Sequence, residues 1–346
     1  MSVGTLWIHE INRRFKSTSL SAAPQARTPI PTDVAMALPR PALLLFLLVV
    51  LTCGQEQCSS LGLCDLTAAD RHARIHAAVQ AISGRKTLQN TKSSYRRALV
   101  WLRDHDRSCP DASNFVQRYV LAVLYFAAGG INWSVTVGGV EKSVATEGLY
   151  LNYRHECTWF GVECDNAGRV TKLLMEGINM VGRIPHALSH LDHLTELDFG
   201  KNKLRGPVHE RIGELSNLVR LDLDLNELTG TLPDELFHLE KLEWMDLDSN
   251  QFTGTVPAGI GALRNVELMS LYNNQFTGAV PTGSQLQQME KLEFLYLDGN
   301  DLSGTTDLCR EMDDTVFFKV ALDCFGENLD CLCPGNLQTC GCCQCF

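Results

Sequence analysis

The densest chemistry in this sequence is carboxylate. Asp198, Asp222 and Asp246 recur at intervals of 24 residues, and Asp224 and Asp248 each follow two positions behind one of them. Such regular intervals place side chains of one type in one column if each interval is one turn of a repeating backbone. If neighbouring turns pair as strands, the column spacing is roughly 4.8 Å and the five carboxylates share a patch about 10 Å across. Like charges that close repel and raise one another's pKa. The patch suits a cationic partner: a basic peptide or protein, or a bound Ca²⁺. The plainer reading is a solvated polar face. Carboxyl pairs about 5–9.5 Å apart also serve glycosidases, but an open face lacks the shielded cleft that separates an acid from a base. No Ser/His/Asp set, phosphate loop or HExxH sequence is evident. The expectation is a non-enzymatic binding face, with no cofactor and no resident metal.

A second column is apolar. Trp244, Leu268 and Phe294 occupy one repeat position, with Tyr272 and Tyr296 beside it. Exposed apolar columns mark interfaces, and Trp and Tyr dominate binding hot spots. Together the two columns nominate Asp198, Asp222, Asp224, Trp244, Asp246, Asp248, Leu268, Tyr272, Phe294 and Tyr296 as partner-binding residues.

The element that positions them is a repeat. Units start at Val170, Leu194, Leu218, Leu242, Val266 and Leu292, spaced 24, 24, 24, 24 and 26 residues apart. The unit from Leu218 to Lys241 reads LVRLDLDLNELTGTLPDELFHLEK. Its frame, LxxLxLxxNxLxGxxPxxLxxLxx, is that of a leucine-rich repeat. Leu221 and Leu223 are two apart, so they share one face of a short strand, and Asp222 and Asp224 take the other. Asn202, Asn226, Asn250, Asn274 and Asn300 recur at the bend. Their buried amides should form a ladder along the stack, because buried polar groups must be paired. One coil cannot bury its own apolar face, so six stacked coils make one core with a parallel sheet along a concave side. The fold class is an α/β solenoid.

Both ends need covers. Cys157-Thr-Trp-Phe-Gly-Val-Glu-Cys164 stands just before the first coil, and Cys157 and Cys164 should form a stapled plug beside a buried Trp159. Upstream, Thr67-Ala-Ala-Asp70 is a capping box opening a helical run to Ile82, and Ser93 to Asp104 and Ser113 to Ala127 read as amphipathic helices. At the far end, Cys309 to Cys345 holds eight of the 14 cysteines and should close the last coil through disulfides. Such density suits an oxidising compartment. A thiolate metal tail or an acylated cysteine would need a reducing one.

The chain resembles plant-type leucine-rich repeat proteins in its CTWFGVEC plug, the following GRV and the LxGxxP form of the repeat. That group includes receptor-like proteins, receptor kinase ectodomains and polygalacturonase-inhibiting proteins. YRRALVWLRDHD (95–106), FVQRYVLAVLYFAAGG (115–130), Asn132-Trp133 and the cysteine-rich tail resemble the secreted or membrane-associated repeat proteins of diatoms and related algae more closely. The resemblance implies a right-handed superhelix that binds a protein or peptide on its concave face, with a possible co-receptor, since no kinase domain or post-repeat membrane helix is seen. It also allows an inhibitor of a secreted wall-degrading hydrolase, or a structural adhesion component. Val135–Tyr153 is longer than the usual link into the plug, and His209 replaces the proline of the second coil.

Ala42 to Leu51, ALLLFLLVVL, is too short to span a bilayer, which needs roughly 20 residues. It fits a signal-peptide core preceded by Arg40 and followed by small residues. Met36 lies just upstream, and residues 1–35 read as an extension. The expected organisation is 1–54 as extension and signal-like segment, 55–165 as helical region and plug, 166–308 as six repeats and 309–346 as a Cys-rich cap. The expected location is secreted or cell-surface, with membrane attachment only if that segment is an uncleaved anchor. Asn132-Trp133-Ser134 is a glycosylation sequon, which makes Asn132 the acceptor.

The net charge is -10, which argues against nucleic acid, where a basic face must neutralise phosphates. Residues 170–308 hold 21 acids against 10 bases. An acidic repeat face calls for a basic protein or peptide ligand.

Overall fold

A computed structural model describes residues 66–304 except 138 and 282, together with the strands Lys319–Asp323, Asp330–Cys333 and Gln344–Cys345. The signal-like segment and the disulfides expected in the tail lie outside the described residues.

Each coil contributes one short strand to a long sheet. Val170–Leu174, Glu196–Asp198, Arg220–Asp222, Trp244–Asp246, Leu268–Ser270 and Phe294–Tyr296 pair in parallel and in that order. The middle residue of each triplet points inward: Leu173, Leu197, Leu221, Met245, Met269 and Leu295 are all fully buried. Lys319–Asp323 continues the sheet in parallel, and Asp330–Cys333 and Gln344–Cys345 follow antiparallel.

A second parallel sheet, which the sequence pattern did not suggest, runs behind the first: Val181–Gly182, Lys203–Gly206, Glu227–Gly230, Gln251–Gly254, Gln275–Ala279 and Asp301–Ser303. Its strands surround the LxG of each repeat. Coils two to four then follow with a single 3₁₀ segment, such as Asp234–His238. His209 fills the proline position by capping: its Nδ1 accepts from the Arg211 amide at 3.2 Å.

The asparagine ladder is present in full. Asn250 Oδ1 accepts from the Leu228 amide of the preceding coil at 3.0 Å, while its Nδ2 donates to the Leu223, Leu247 and Asp248 carbonyls. Asn202, Asn226, Asn274 and Asn300 repeat the pattern. The residue before each ladder asparagine turns left-handed, and in the third coil it is Leu225 at φ 48°. Leucine resists that conformation. The four bonds of the next residue hold it there.

The N-terminal cover is helical. Helix α1 spans Ala68–Ser83, α2 Arg85–Gln89, α3 Ser94–Asp104 and α4 Phe115–Ala127. Thr67 and Ser93 cap α1 and α3 by accepting from the amides of Asp70 and Arg96. The end of α4 joins the first coil through backbone bonds: Val181 N–H to Ala128 O at 2.9 Å and Arg183 N–H to Ala127 O at 3.2 Å. Gly182 permits that approach, since a Cβ there would stand 2.0 Å from Ala127 O. The long link contains an antiparallel hairpin, Ser134–Val137 with Val140–Ser143.

The plug is stapled as expected: Cys157 and Cys164 form a disulfide, and Trp159 is buried. Cys109 is also disulfide-bonded. Val162–Cys164 pairs antiparallel with the first repeat strand and so caps the sheet. One apolar cluster runs without a break from Ile75 in α1 to Leu297 in the sixth coil.

Candidate functional site on the long sheet

The strand registers define two outward columns. The first holds Lys172, Glu196, Arg220, Trp244, Leu268 and Phe294. The second holds Leu174, Asp198, Asp222, Asp246, Ser270 and Tyr296. Beyond the strand ends, Asp224, Asp248 and Tyr272 sit two residues further along their coils. The structure therefore brings together all ten residues that the sequence nominated.

Their environment differs from the expectation. The carboxylates were read as an exposed patch, yet Asp198, Asp222, Asp224, Asp246 and Asp248 are all buried, Asp246 completely. Trp244 and Leu268, read as an exposed apolar column, are buried too. Tyr272, Phe294 and Tyr296 are half-buried. The physical reason is spacing. Strands about 4.8 Å apart press each side chain against the ones above and below. The Arg220 guanidinium lies 4.4 Å over the Trp244 ring, and Leu268 stands beside Trp244 in register.

Part of the aspartate column is architectural. Asp198, Asp222 and Asp246 each accept from the amide two residues on, at Gly200, Asp224 and Asp248, at 3.2–3.3 Å. These short-range bonds hold the chain as it leaves the strand. Asp222 spends its other oxygen on Arg220, 2.8 Å away. Gly200 supplies room: a Cβ there would lie 2.1 Å from Asp224 Oδ1 and 3.1 Å from Asp222 Oδ1.

The electrostatics follow from burial. Asp224 is pushed up to about 8, first by desolvation and then by Asp222 and Asp248. Desolvation also raises Asp246 well above the ordinary carboxylate range, with Asp248, Asp222 and Asp224 adding to it. Asp248 is raised mainly by burial. Lys201 makes an ion pair with Glu176 and faces Asp224 and Asp222 as well. One carboxyl oxygen from each of Asp222, Asp224 and Asp246 lies within 4.8 Å of the others, a spacing that could hold a metal ion. A rim of glutamates borders the first column. Glu243 and Glu293 are exposed, and Glu267 between them is raised by burial and by both neighbours.

The Leucine Rich Repeat family matches residues 217–239 and 241–263. Those two stretches are the third and fourth coils, and the same registers, ladder and turns continue on both sides of them.

These are leucine-rich repeats.

Leucine-rich repeat protein 1 of rice, in both the indica and japonica subspecies, is 33% identical over 95 residues. That match covers 26% of this chain and 45% of the rice proteins, so the chain spans under half of their length. Among solved structures, the SOBIR1 receptor kinase ectodomain of Arabidopsis thaliana aligns at 31% identity and a TM-score of 0.40, covering 45% of this chain and 88% of that one. The BIR3–SERK2 complex of Arabidopsis thaliana aligns at 28% and 0.39, over 44% and 80%. A plant ice-binding protein aligns at 28% and 0.42, over 48% and 55%.

Two features of this leucine-rich repeat chain escaped sequence reading. One is the buried Arg118 of α4, which meets Asp106 at 2.5 Å and Glu156 at 3.2 Å and lies 4.8 Å over the Trp159 ring. No motif links those residues. The other is the histidine cluster behind the sheet. His186 stacks on Tyr95 at 4.9 Å, and His209 lies 5.2 Å away. The capped start of the second coil's 3₁₀ segment was its faint signal, in the proline replaced by His209.

Proposed function

We propose that this leucine-rich repeat protein is a non-enzymatic recognition protein that binds a protein or peptide, preferably basic, on its long sheet outside the cell. The observation that supports this most is the change along the first outward column. Coils one to three present Lys172, Glu196 and Arg220, with Lys172 and Glu196 paired at 3.1 Å. Coils four to six present Trp244, Leu268 and Phe294. Phe294, Tyr296 and Tyr272 keep part of their surface in solvent, and the rings of Phe294 and Tyr296 stack at 6.4 Å. Half-covered aromatic rings beside an acidic rim suit a basic ligand with apolar anchors. The buried aspartates shape this face rather than steer the ligand. Glu243 and Glu293 are placed to steer. The disulfides accord with an oxidising compartment, and the sequon residue Asn132 is exposed. Among the described residues, no helix is long and apolar enough to cross a membrane.

The test uses a partner captured from the extracellular fraction and then purified. Phe294→Ala and Tyr296→Ala should speed its dissociation at any salt concentration. Glu243→Gln combined with Glu293→Gln should slow association at low salt and matter little at high salt, because exposed charges are screened. If neither pair of changes alters the kinetics, recognition does not use this face.

A further inference from the structure

We infer that Asp222, Asp224 and Asp246, with the Ser270 hydroxyl, form a binding site for a hard divalent cation of the size of Ca²⁺. Three carboxylates alone would be weak grounds. The second observation is Ser270. It is fully buried, its Oγ has no hydrogen-bond partner, and it stands opposite Asp246 in the parallel register, on the same face of the sheet. Asp246 Oδ2 is likewise buried and without a partner, while its Oδ1 is spent on the Asp248 amide. Two buried oxygens on adjacent strands thus lack the donor or cation that buried polar groups require.

Charge points the same way. Asp222, Asp224, Asp246 and Asp248 are buried together. Arg220 pairs with Asp222, and the nearby Lys201 is shared with Glu176. Once these carboxyls are ionised, negative charge exceeds positive in a desolvated place, and a bound cation would balance it where protons otherwise do. Gly200 extends the room, since any Cβ there would press on the Asp224 and Asp222 oxygens.

The donor set selects the ion. The ligands are all oxygen, with no histidine or cysteine in the cluster, which disfavours zinc. The carboxyl oxygens all lie within 4.8 Å of one another, inside the spread that the ligands of one hard divalent cation can take. Oxygens on opposite sides of Ca²⁺ lie roughly 4.6–5.2 Å apart, against about 4.1 Å for Mg²⁺. A cation here would tie the second column of coils three to five together, directly beside the aromatic anchors.

The full chain, treated with EDTA and dialysed, should be titrated with CaCl₂ by calorimetry. In parallel, Tb³⁺ emission should be read under tryptophan excitation, with Trp244, two residues from Asp246, as the near sensitiser. Saturable heat and sensitised emission that Ca²⁺ displaces are expected. Asp246→Asn keeps the shape and removes one ligand charge, and should weaken Ca²⁺ binding by at least about tenfold. Ser270→Ala removes a single hydroxyl and serves as the second, milder variant, with a smaller loss expected. Circular dichroism confirms that both variants fold. Absence of binding at about 10 mM Ca²⁺, far above the weakest protein sites, overturns the inference. Equal affinity in the wild type and both variants, which would place the ion on surface carboxylates, overturns it too. The readouts need no protein partner, so they are independent of the recognition reading.

Discussion

Arg118 and Glu156 meet at 3.2 Å inside the N-terminal cover, 38 residues apart in the chain and both withdrawn from water. The contact fastens helix α4 to the cystine plug. Asp106 takes the other side of the same guanidinium, and Asn114 and Gln117 donate to Glu156. Arg118→Ala would leave the buried carboxylates of Asp106 and Glu156 without the guanidinium they share. The expected loss is about 3–5 kcal/mol of unfolding free energy, read by denaturant titration. A loss under about 1 kcal/mol, the scale of an exposed pair, would mean the network opens to water.

The asparagine ladder predicts a gradient. Asn250→Ala strands the Leu228 amide inside the stack, while the Leu223 carbonyl keeps its bond from Asn226. Each buried group left unpaired costs about 1–3 kcal/mol. Asn300 is only partly buried, so Asn300→Ala should cost less. Equal costs in thermal melts would show that burial does not set the price of the ladder.

The histidine cluster predicts pH dependence. Burial lowers the pKa of His186, followed by His209, Arg211 and His190, with Glu214 opposing. Burial also lowers His190, followed by Arg211, against Glu214 and Asp192. Tyr95 stacks on His186 from α3 and carries no charge. A histidine with a depressed folded pKa resists protonation that the unfolded chain accepts. Its stabilising share is complete above about pH 6.5 and is lost as pH falls through the lower folded value. Melting temperature should therefore drop between pH 7 and 5. His186→Phe keeps the stack and cannot titrate, so it should flatten part of that slope. An unchanged slope removes His186 from the account.

The plug predicts a local redox effect. Cys157→Ser with Cys164→Ser should cost about 2–4 kcal/mol. The strand Val162–Cys164 closes the sheet against the first coil. Amide exchange should therefore rise first at Val162 and Leu174, whose amides bond Trp159 O and Gly161 O. Uniform faster exchange through all six coils would contradict a local role.

The coil boundaries, the inward leucines, the asparagine ladder and the cystine plug were all legible in the sequence. Each depends on a period: a leucine two residues from another, or an asparagine every coil, has one geometric meaning in a stacked backbone. Helices α1 and α3 were legible for a similar reason, because Thr67 and Ser93 announce their starts locally. Burial of the aspartate and tryptophan columns was not legible. Alternation along a strand says which side Asp246 and Trp244 face, but not what stands on that side. That depends on strand spacing, on Arg220 folding over Trp244, and on Gly200 leaving room for Asp224. The meeting of Arg118 with Asp106 and Glu156, and of His186 with Tyr95, was likewise decided by tertiary structure alone. Those residues stand far apart in the chain, and no repeat relates them. Local periodicity determines the coil; contacts between distant residues determine which polar groups lose their water, and so which of them can act on a ligand.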